Sequence, residues 1–549
     1  MTGTLVERRI GLLFALFLIA LTLGVMRAAW LGTVKSGDLS GKAVTQQTED
    51  LTVPARRGTI FDRHGSELAV SEDATTVFAN PFLIKDPGAV AGKLSPIMDM
   101  DPGKLLELLS DRDTGFVYLK RKLDPNAGEE IRKLKIEGIG TEAEPRRTYP
   151  QKRMASQLIG SVGTDNFGLA GIEQQHEKTL HGADGKRRIV KDALGTPIQI
   201  VDTRPSAPGG DLSLTLDSAL QERTESVLAE VGRDFKPKGA TAIVADPRTG
   251  DILALANWPR VDANSIEKSP AYALQNRAVA ASYEPGSTFK AFTISGALEE
   301  KLVTPDTPFT YGPTLQVADR EIRESKEGQG GGTLTVSQIL AQSSNVGTVK
   351  IGIELGKEKF AKWVSRFGFG KGTGVDIPGE ATGIVPKVED YSGSSIGNLP
   401  IGQGLAVTPI QMMRAYGAIA NGGVAPDMHV VKGGGGPGKR VISAGNAARV
   451  RTMLEGVLGA GGTAQQVKVP GYVLAGKTGT AEKPDGMGGY SKSKYVASFI
   501  GFAPAKAPRL LVSVMVDEPG GSIYGADVAA PAFQKIVSFA LPYLRIPPR

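Results

Sequence analysis

The chemistry most evident in this sequence lies in the stretch Tyr283-Glu284-Pro285-Gly286-Ser287-Thr288-Phe289-Lys290, where a Pro-Gly turn delivers a serine to the start of a helix. Pro285 presets φ and Gly286 permits a tight backbone, so the Ser287 hydroxyl is expected at a helix N-terminus, where the partial positive charge favours developing negative charge. The helix reads on to Leu298, with Lys290 three residues past Ser287 over the same face. A serine is a poor nucleophile at its free pKa. It needs a base within reach, and a lysine serves when its surroundings depress its own pKa.

Ser-x-x-Lys occurs three times, at Ser265–Lys268, Ser287–Lys290 and Ser491–Lys494. Only the central copy follows a turn-to-helix signal. Only it is trailed by two further elements that such chemistry needs, Ser343-Ser344-Asn345 and Lys477-Thr478-Gly479-Thr480, each unique in the chain. Gly471 to Thr478 also satisfies the phosphate-loop pattern. Bulky Tyr472, Val473 and Leu474 fill that loop, and Gly479, Pro484 and Gly486 follow where a helix should open, so nucleotide binding is not expected.

The elements that must position these residues belong to a long chain. Its 549 residues, 41% hydrophobic and 22% charged, are enough for two or three cores. The net charge of +7 is spread over 64 basic and 57 acidic residues, which suits an anionic membrane surface or cell wall and gives no footprint for nucleic acid. Cysteine is absent, which removes disulfides, thiol catalysis and Cys-based zinc sites. The four histidines, His64, His176, His181 and His429, carry no metal spacing and read as surface residues; no metal or cofactor is expected.

Residues 10–26 hold no charge, follow Arg8-Arg9 and precede Arg27 and Trp30. This reads as an uncleaved membrane anchor with a cytoplasmic N-terminus and the rest of the chain outside. A polar helical stalk is expected to Gln47. A short strand and Gly turn then run through Arg57-Gly58-Thr59-Ile60-Phe61-Asp62-Arg63-His64-Gly65, and a second strand lies near residues 75–79. Helices are expected at 103–110 and 127–134. Arg147-Thr148-Tyr149-Pro150 and Gly168-Leu169-Ala170-Gly171-Ile172-Glu173 read as buried ion pairs and turns of a non-catalytic module.

Thr203 to Gly210 is a linker by composition. The expected division is a cytoplasmic tail 1–9, an anchor 10–31, a pedestal for dimerisation or interaction 32–208, and a catalytic domain 209–549. Within the last, residues 212–216 alternate as a strand, Asp217 or Ser218 caps a helix to Val231, and 240–245 with 252–256 form a hairpin. Thr335 to Gln338 is a capping box, and Thr408-Pro409-Ile410-Gln411 introduces another helix. Residues 472–482, 495–503 and 510–516 make an antiparallel meander. The fold class is therefore α+β, an antiparallel sheet flanked by helices.

The ordered triple of motifs resembles the penicillin-recognising serine transferases, and with the segments at 57–65, 147–150, 168–173 and 180–182 the chain is similar to the class B penicillin-binding proteins over essentially its whole length. It departs from that family at Gln151-Lys152, where a glycine is common. The resemblance implies a membrane-anchored peptidoglycan D,D-transpeptidase that cross-links stem peptides through an acyl-serine and is a target of β-lactams. It implies Ser287 as nucleophile, Lys290 as its base, Ser343 as proton relay and Asn345 as binder of the substrate backbone. Lys477 would steady Ser343 and, with Thr478 and Thr480, attract the terminal carboxylate. Gly479 would let the substrate lie against the sheet edge. The N–H groups of Ser287 and Thr480 would form the oxyanion hole.

The compact pedestal and short tail look like the cell-division (septal) type, with a membrane-embedded glycosyltransferase and divisome proteins as implied partners. The alternatives are an elongation-type transpeptidase, a D,D-carboxypeptidase or β-lactamase, and a non-catalytic divisome scaffold. Because two lysines would face one pocket, Lys290 is expected to be neutral near pH 7 and Lys477 charged.

Overall fold

The uncharged run near the N-terminus lies inside one helix, α1 (Gly3–Thr33), of a computed structural model that describes residues 3–37, 48–191, 197–324, 331–486 and 489–548. Leu13, Phe17 and Leu23 are 67%, 63% and 58% exposed, an apolar surface suited to lipid. A helix of this length spans ~46 Å at 1.5 Å per residue, more than the ~30 Å hydrocarbon core of a bilayer. Of the expected stalk, residues 38–47 lie outside the described residues.

The remainder of the chain forms two compact units. The smaller contains residues 73–145 and 182–209 besides the first 56 residues. Its helices Pro87–Met98, Pro102–Ser110 and Pro125–Lys133 all start on an Asp-Pro pair. The Asp86, Asp101 and Asp124 side chains each accept a backbone N–H, and proline occupies the position where its missing N–H costs nothing. Leu94, Met98, Leu105, Leu109 and Ile131 pack from these helices into one core with Val77 and Leu119. The first of the three helices was not expected from apolar spacing, although Asp86-Pro87 signals its start. Thr48–Val53, Gly185–Lys191 and Pro197–Arg204 form an antiparallel sheet. The presumed linker from Thr203 is accordingly part strand, and Ala207 exchanges backbone hydrogen bonds with Ala183.

The larger unit contains residues 57–72, 146–181 and 210–549, so two segments that precede the compositional linker pack with the catalytic part. Here the expected buried ion pairs appear. Glu173, wholly buried, takes Arg57 Nη2 at 2.9 Å on one oxygen and Arg147 Nε at 2.6 Å on the other.

A five-stranded sheet organises this unit. Asp217 caps α2 (Ser218–Phe235), which leads into the hairpin β1 (Gly239–Ala245) and β2 (Ile252–Trp258). Next come α3 (Lys290–Glu299), α4 (Val336–Gln342), α5 (Asn345–Leu355), α6 (Pro409–Ala420) and α7 (Ala444–Glu455). The chain closes with the antiparallel meander β3 (Ala475–Pro484), β4 (Tyr490–Ala503) and β5 (Leu510–Asp517), and with α8 (Gly525–Tyr543). Strand order is β2-β1-β5-β4-β3, which leaves β3 at an edge.

Neighbouring residues of a strand face opposite sides, and this separates the helical layers. Phe533 of α8 packs on Phe499 and beside Gly501, whereas Gly417 of α6 lies beside Leu511, whose cross-strand partner is Phe502. Helices α8 and α2 therefore cover one face, and α6 covers the other. Helix α3 is buried on all sides from Lys290 to Leu298, as a central helix must be.

His429 departs from the expectation of surface histidines. It is 6% exposed and its Nε2 lies 2.9 Å from Asp251 Oδ1.

Replacing Glu173 by alanine leaves two buried guanidinium groups without their shared carboxylate. The expected loss is about 3–5 kcal/mol, read as a lower thermal midpoint of the full-length chain in detergent, with Glu173→Gln intermediate.

Candidate active site

The turn that carries Ser287 is a 3-10 turn, Gly286–Phe289, continuous with α3. The expected α-helix thus begins at Lys290, one tight turn later. Gly286 has φ +53°, and a Cβ there would lie 2.8 Å from the carbonyl oxygen of Thr480 on β3. The turn is held from behind. Tyr416 of α6, fully buried, donates its hydroxyl to Thr288 O at 2.7 Å, and Gly286 N donates to Gly402 O at 3.0 Å. Phe289 packs against Phe292 and Phe369, with ring centroids 5.3 and 5.1 Å away. Ser287 itself is half-buried.

The Ser343-Ser344-Asn345 stretch joins α4 to α5. Thr335 and Gln338 close the expected capping box at the start of α4, and Ser343 ends that helix in the left-handed region with φ 62°. Ser344 then caps α5 through Gly347 N. Lys290, fully buried, reaches this turn: its Nζ donates to Ser343 O at 2.6 Å, Asn345 Oδ1 at 2.6 Å and Ser343 Oγ at 3.3 Å. Burial pulls the Lys290 amine down to about 7, against a smaller upward pull from the Glu324 charge.

Lys477 points from β3 to the same side of the sheet as Gly479, because its cross-strand partner is Ile500 and that of Gly479 is Ser498. It too is fully buried, and it donates to Thr478 O at 3.2 Å and Thr478 Oγ1 at 3.4 Å. Burial, and then the charge of Lys290, push its amine well below the ordinary lysine range. The phosphate-loop reading of 471–478 fails in the structure as well, since Lys477 and Thr478 lie within a strand.

The structure thus brings Ser287, Lys290, Ser343, Asn345, Lys477, Thr478, Gly479 and Thr480 onto one turn, one helix junction and one edge strand. For four of the expectations about them the structure adds detail. Lys477 is pushed toward its neutral form: among the described residues no acidic group acts on it, whereas Lys290 has Glu324. The lysine that hydrogen-bonds Ser343 is Lys290, while the bonds of Lys477 go to Thr478. Asn345 is engaged at both ends of its amide, accepting from Lys290 and donating to Arg323 O at 2.9 Å.

Gly479 meets a requirement from within the protein as well. A Cβ there would lie 2.3 Å from Ser498 Oγ, 2.9 Å from Thr288 Cγ2 and 3.0 Å from Pro285 O, so its bareness lets the serine turn press on β3. Thr480 accepts Gly525 N at 3.1 Å, and Thr478 Oγ1 lies 2.8 Å from Thr463 Oγ1.

Sequence reasoning missed Glu324. Its carboxylate accepts from Ser344 Oγ at 2.5 Å, Asn345 N at 2.8 Å and Val346 N at 3.3 Å. An acid twenty residues before the turn has no local signature, because the contact is made by the fold. Tyr311 was missed for the same reason; its hydroxyl donates to Ser344 Oγ at 2.9 Å.

Residues 240–538 match the penicillin binding protein transpeptidase domain, and residues 52–214 match the penicillin-binding protein dimerisation domain. The chain is 34% identical to the probable peptidoglycan D,D-transpeptidase PenA of Neisseria meningitidis, covering 95% of this chain and 90% of that one. It is 32% identical to the peptidoglycan D,D-transpeptidase FtsI of Escherichia coli, covering 98% and 92%. Among solved structures it is similar to penicillin binding protein 3 of Mycobacterium tuberculosis complexed with aztreonam, with TM-score 0.70, 28% identity, and coverage of 91% of this chain and 98% of that one.

The fit between the serine turn and β3 is testable by thermal unfolding. Gly479→Ala is expected to cost about 1–3 kcal/mol by overpacking. Adding Ser498→Ala, which removes the nearest clashing atom, should recover part of the midpoint. Equal midpoints for the single and double variants would show that Ser498 is not what the new methyl meets.

Proposed function

The chain belongs to the class B penicillin-binding proteins, which are peptidoglycan D,D-transpeptidases, and from that premise we propose that Ser287 is the residue acylated and Lys290 the base that activates it. One observation carries the assignment. Lys290 is wholly enclosed, one turn past Ser287, with an amine held at about 7, where a base is half unprotonated at neutral pH.

In the proposed reaction, neutral Lys290 takes the proton of Ser287 as Oγ attacks the carbonyl carbon of the penultimate D-Ala of a stem peptide. Negative charge develops on the carbonyl oxygen and is met by the N–H groups of Ser287 and Thr480. The C–N bond to the terminal D-Ala then breaks, and the leaving amine receives a proton through Ser343, which already accepts from Lys290 at 3.3 Å. An amine of a neighbouring stem attacks the ester, loses a proton, and leaves a new amide while Ser287 regains its hydrogen. A β-lactam follows the first half of this course and stops at the acyl-serine.

Lys477, Thr478 and Thr480 are the proposed receptors of the terminal carboxylate. A carboxylate arriving beside buried Lys477 supplies the counter-charge that the free site lacks, so Lys477 gains a proton as the ligand binds. Asn345, the proposed binder of the substrate backbone, also holds Lys290 in place.

The wider setting is also proposed. Arg8 and Arg9 before the apolar helix favour a cytoplasmic N-terminus with both units outside the membrane. The compact pedestal supports a septal role beside a membrane-embedded glycosyltransferase and divisome proteins. A fluorescent fusion concentrated along the side wall, with none at the septum, would replace this with the elongation role.

Fluorescent penicillin should label the full-length chain in detergent on one serine, with Ser287→Ala unlabelled; a wild-type chain that never acylates defeats the proposal. The acylation rate should rise as pH passes through about 7 and Lys290 loses its proton. Lys290→Arg, which stays charged, should be inactive at every pH tested.

Binding of a D-Ala-D-Ala peptide to Ser287→Ala should be accompanied by net proton uptake, because burial and the Lys290 charge lower the Lys477 amine in the free site. Calorimetry in buffers of different ionisation enthalpy measures this directly. Zero uptake would mean that Lys477 is already protonated in the free site.

A further inference from the structure

The Ser343-Ser344-Asn345 turn is not self-supporting. It depends on a carboxylate from outside every motif. Glu324 follows the strand Arg320–Arg323, is half-buried, and accepts from three consecutive residues of the junction between α4 and α5. A carboxylate at the first turn of a helix satisfies N–H groups that have no partner within the helix and complements the positive end of its dipole. Glu324 thereby fixes where Ser344 and Asn345 stand, and Asn345 Oδ1 in turn fixes Lys290 Nζ at 2.6 Å.

The second consequence is electrostatic. Lys290 donates to the neutral oxygens of Ser343 and Asn345, and the charge acting on it is that of Glu324, reached through Asn345 rather than by a direct ion pair. Among the described residues, the other titratable groups around this junction are Lys477 on β3 and Tyr311 on the strand Pro308–Tyr311. Tyr311 is pushed up by burial and, further, by Glu324, so it remains a neutral phenol that bonds Ser344. An acid in contact with Lys290 would hold the ammonium too firmly for a base. An acid one residue away favours the ammonium without capturing it.

We propose that Glu324 is a positioning residue for the transpeptidase reaction, anchoring the turn that carries Ser343 and Asn345 and supplying the carboxylate against which Lys290 takes up and releases its proton. The proposal rests on the reading of Lys290 as base. It assigns Glu324 two effects, one of place and one of charge, and substitutions separate them. Glu324→Gln keeps an acceptor and much of the shape while removing the charge. Ser344→Ala removes one bond of the anchor while leaving the charge.

The experiment is the rate of acylation of the full-length chain in detergent by fluorescent penicillin, followed from about pH 5 to 9. In the wild type, the acid limb marks the loss of the Lys290 proton. Glu324→Gln should move that limb about one pH unit lower, because the ammonium loses a stabilising charge. Its plateau should also fall several-fold. Ser344→Ala should lower the plateau with the limb unmoved. Glu324→Asp, which draws the carboxylate back by one methylene, should shift the limb in the same direction by less, and it carries the test if thermal unfolding shows Glu324→Gln to be unfolded. A limb unmoved in the folded Glu324 variants overturns the proposal and leaves Glu324 as a structural anchor only. Failure of wild-type acylation would instead strike the transpeptidase reading, so the two outcomes are distinct.

Discussion

Two lysine amines buried on the same side of one sheet, with a serine turn lying over them, are the constraint around which the catalytic unit is built. An ammonium taken from water loses solvation that neutral neighbours only partly replace, so enclosure lowers both amines. What distinguishes them is their company. Lys290 projects from a central helix into a turn supplied with a carboxylate, and Lys477 projects from an edge strand where its bonds go to Thr478. One lysine is adjusted by the protein itself, while the other is left dependent on an anion that arrives from outside.

Keeping such groups enclosed requires a rigid and close-fitting surround. The serine turn is clamped between Tyr416 behind and β3 in front, and the clamp closes because Gly286 and Gly479 have no side chain at the contact. Behind it the ring cluster of Phe289, Phe292, Phe369 and Tyr416 fills the space between α3 and α6. A packed aromatic layer resists deformation, so the turn has little freedom to move away from Lys290. The edge position of β3 serves the same end: its inner neighbour β4 fixes its register, and its outer side stays open to a ligand.

Buried charge recurs elsewhere in this unit, with the opposite logic. Glu173 is shared by Arg57 and Arg147, and all three are removed from solvent. There, opposite charges meet at short range and hold the segments that carry them together. The contrast shows why pairing suits a structural junction, and why incomplete pairing suits a site that must exchange protons.

Much of this was legible in sequence because it depends on neighbours along the chain. The turn into α3 follows from Pro285-Gly286, the capping boxes at Thr335 and Thr408 from Thr and Gln three residues apart, and the meander from three apolar runs joined by loops. The long apolar helix near the N-terminus follows from an uncharged run between arginines. Even the helix Pro87–Met98, unexpected from its apolar spacing, had a local signal in Asp86-Pro87. The tertiary structure alone decided the partners of the charged groups: Glu324 beneath Ser344 and Asn345, Asn345 on Lys290 rather than free, Lys477 without an acid among the described residues, and His429 buried on Asp251. It also decided that segments 57–72 and 146–181 pack with the catalytic unit. A residue's spacing along the chain determines the helix or strand it joins, whereas the state of its proton depends on which distant side chains share its burial. That is a property of packing, and no local pattern encodes it.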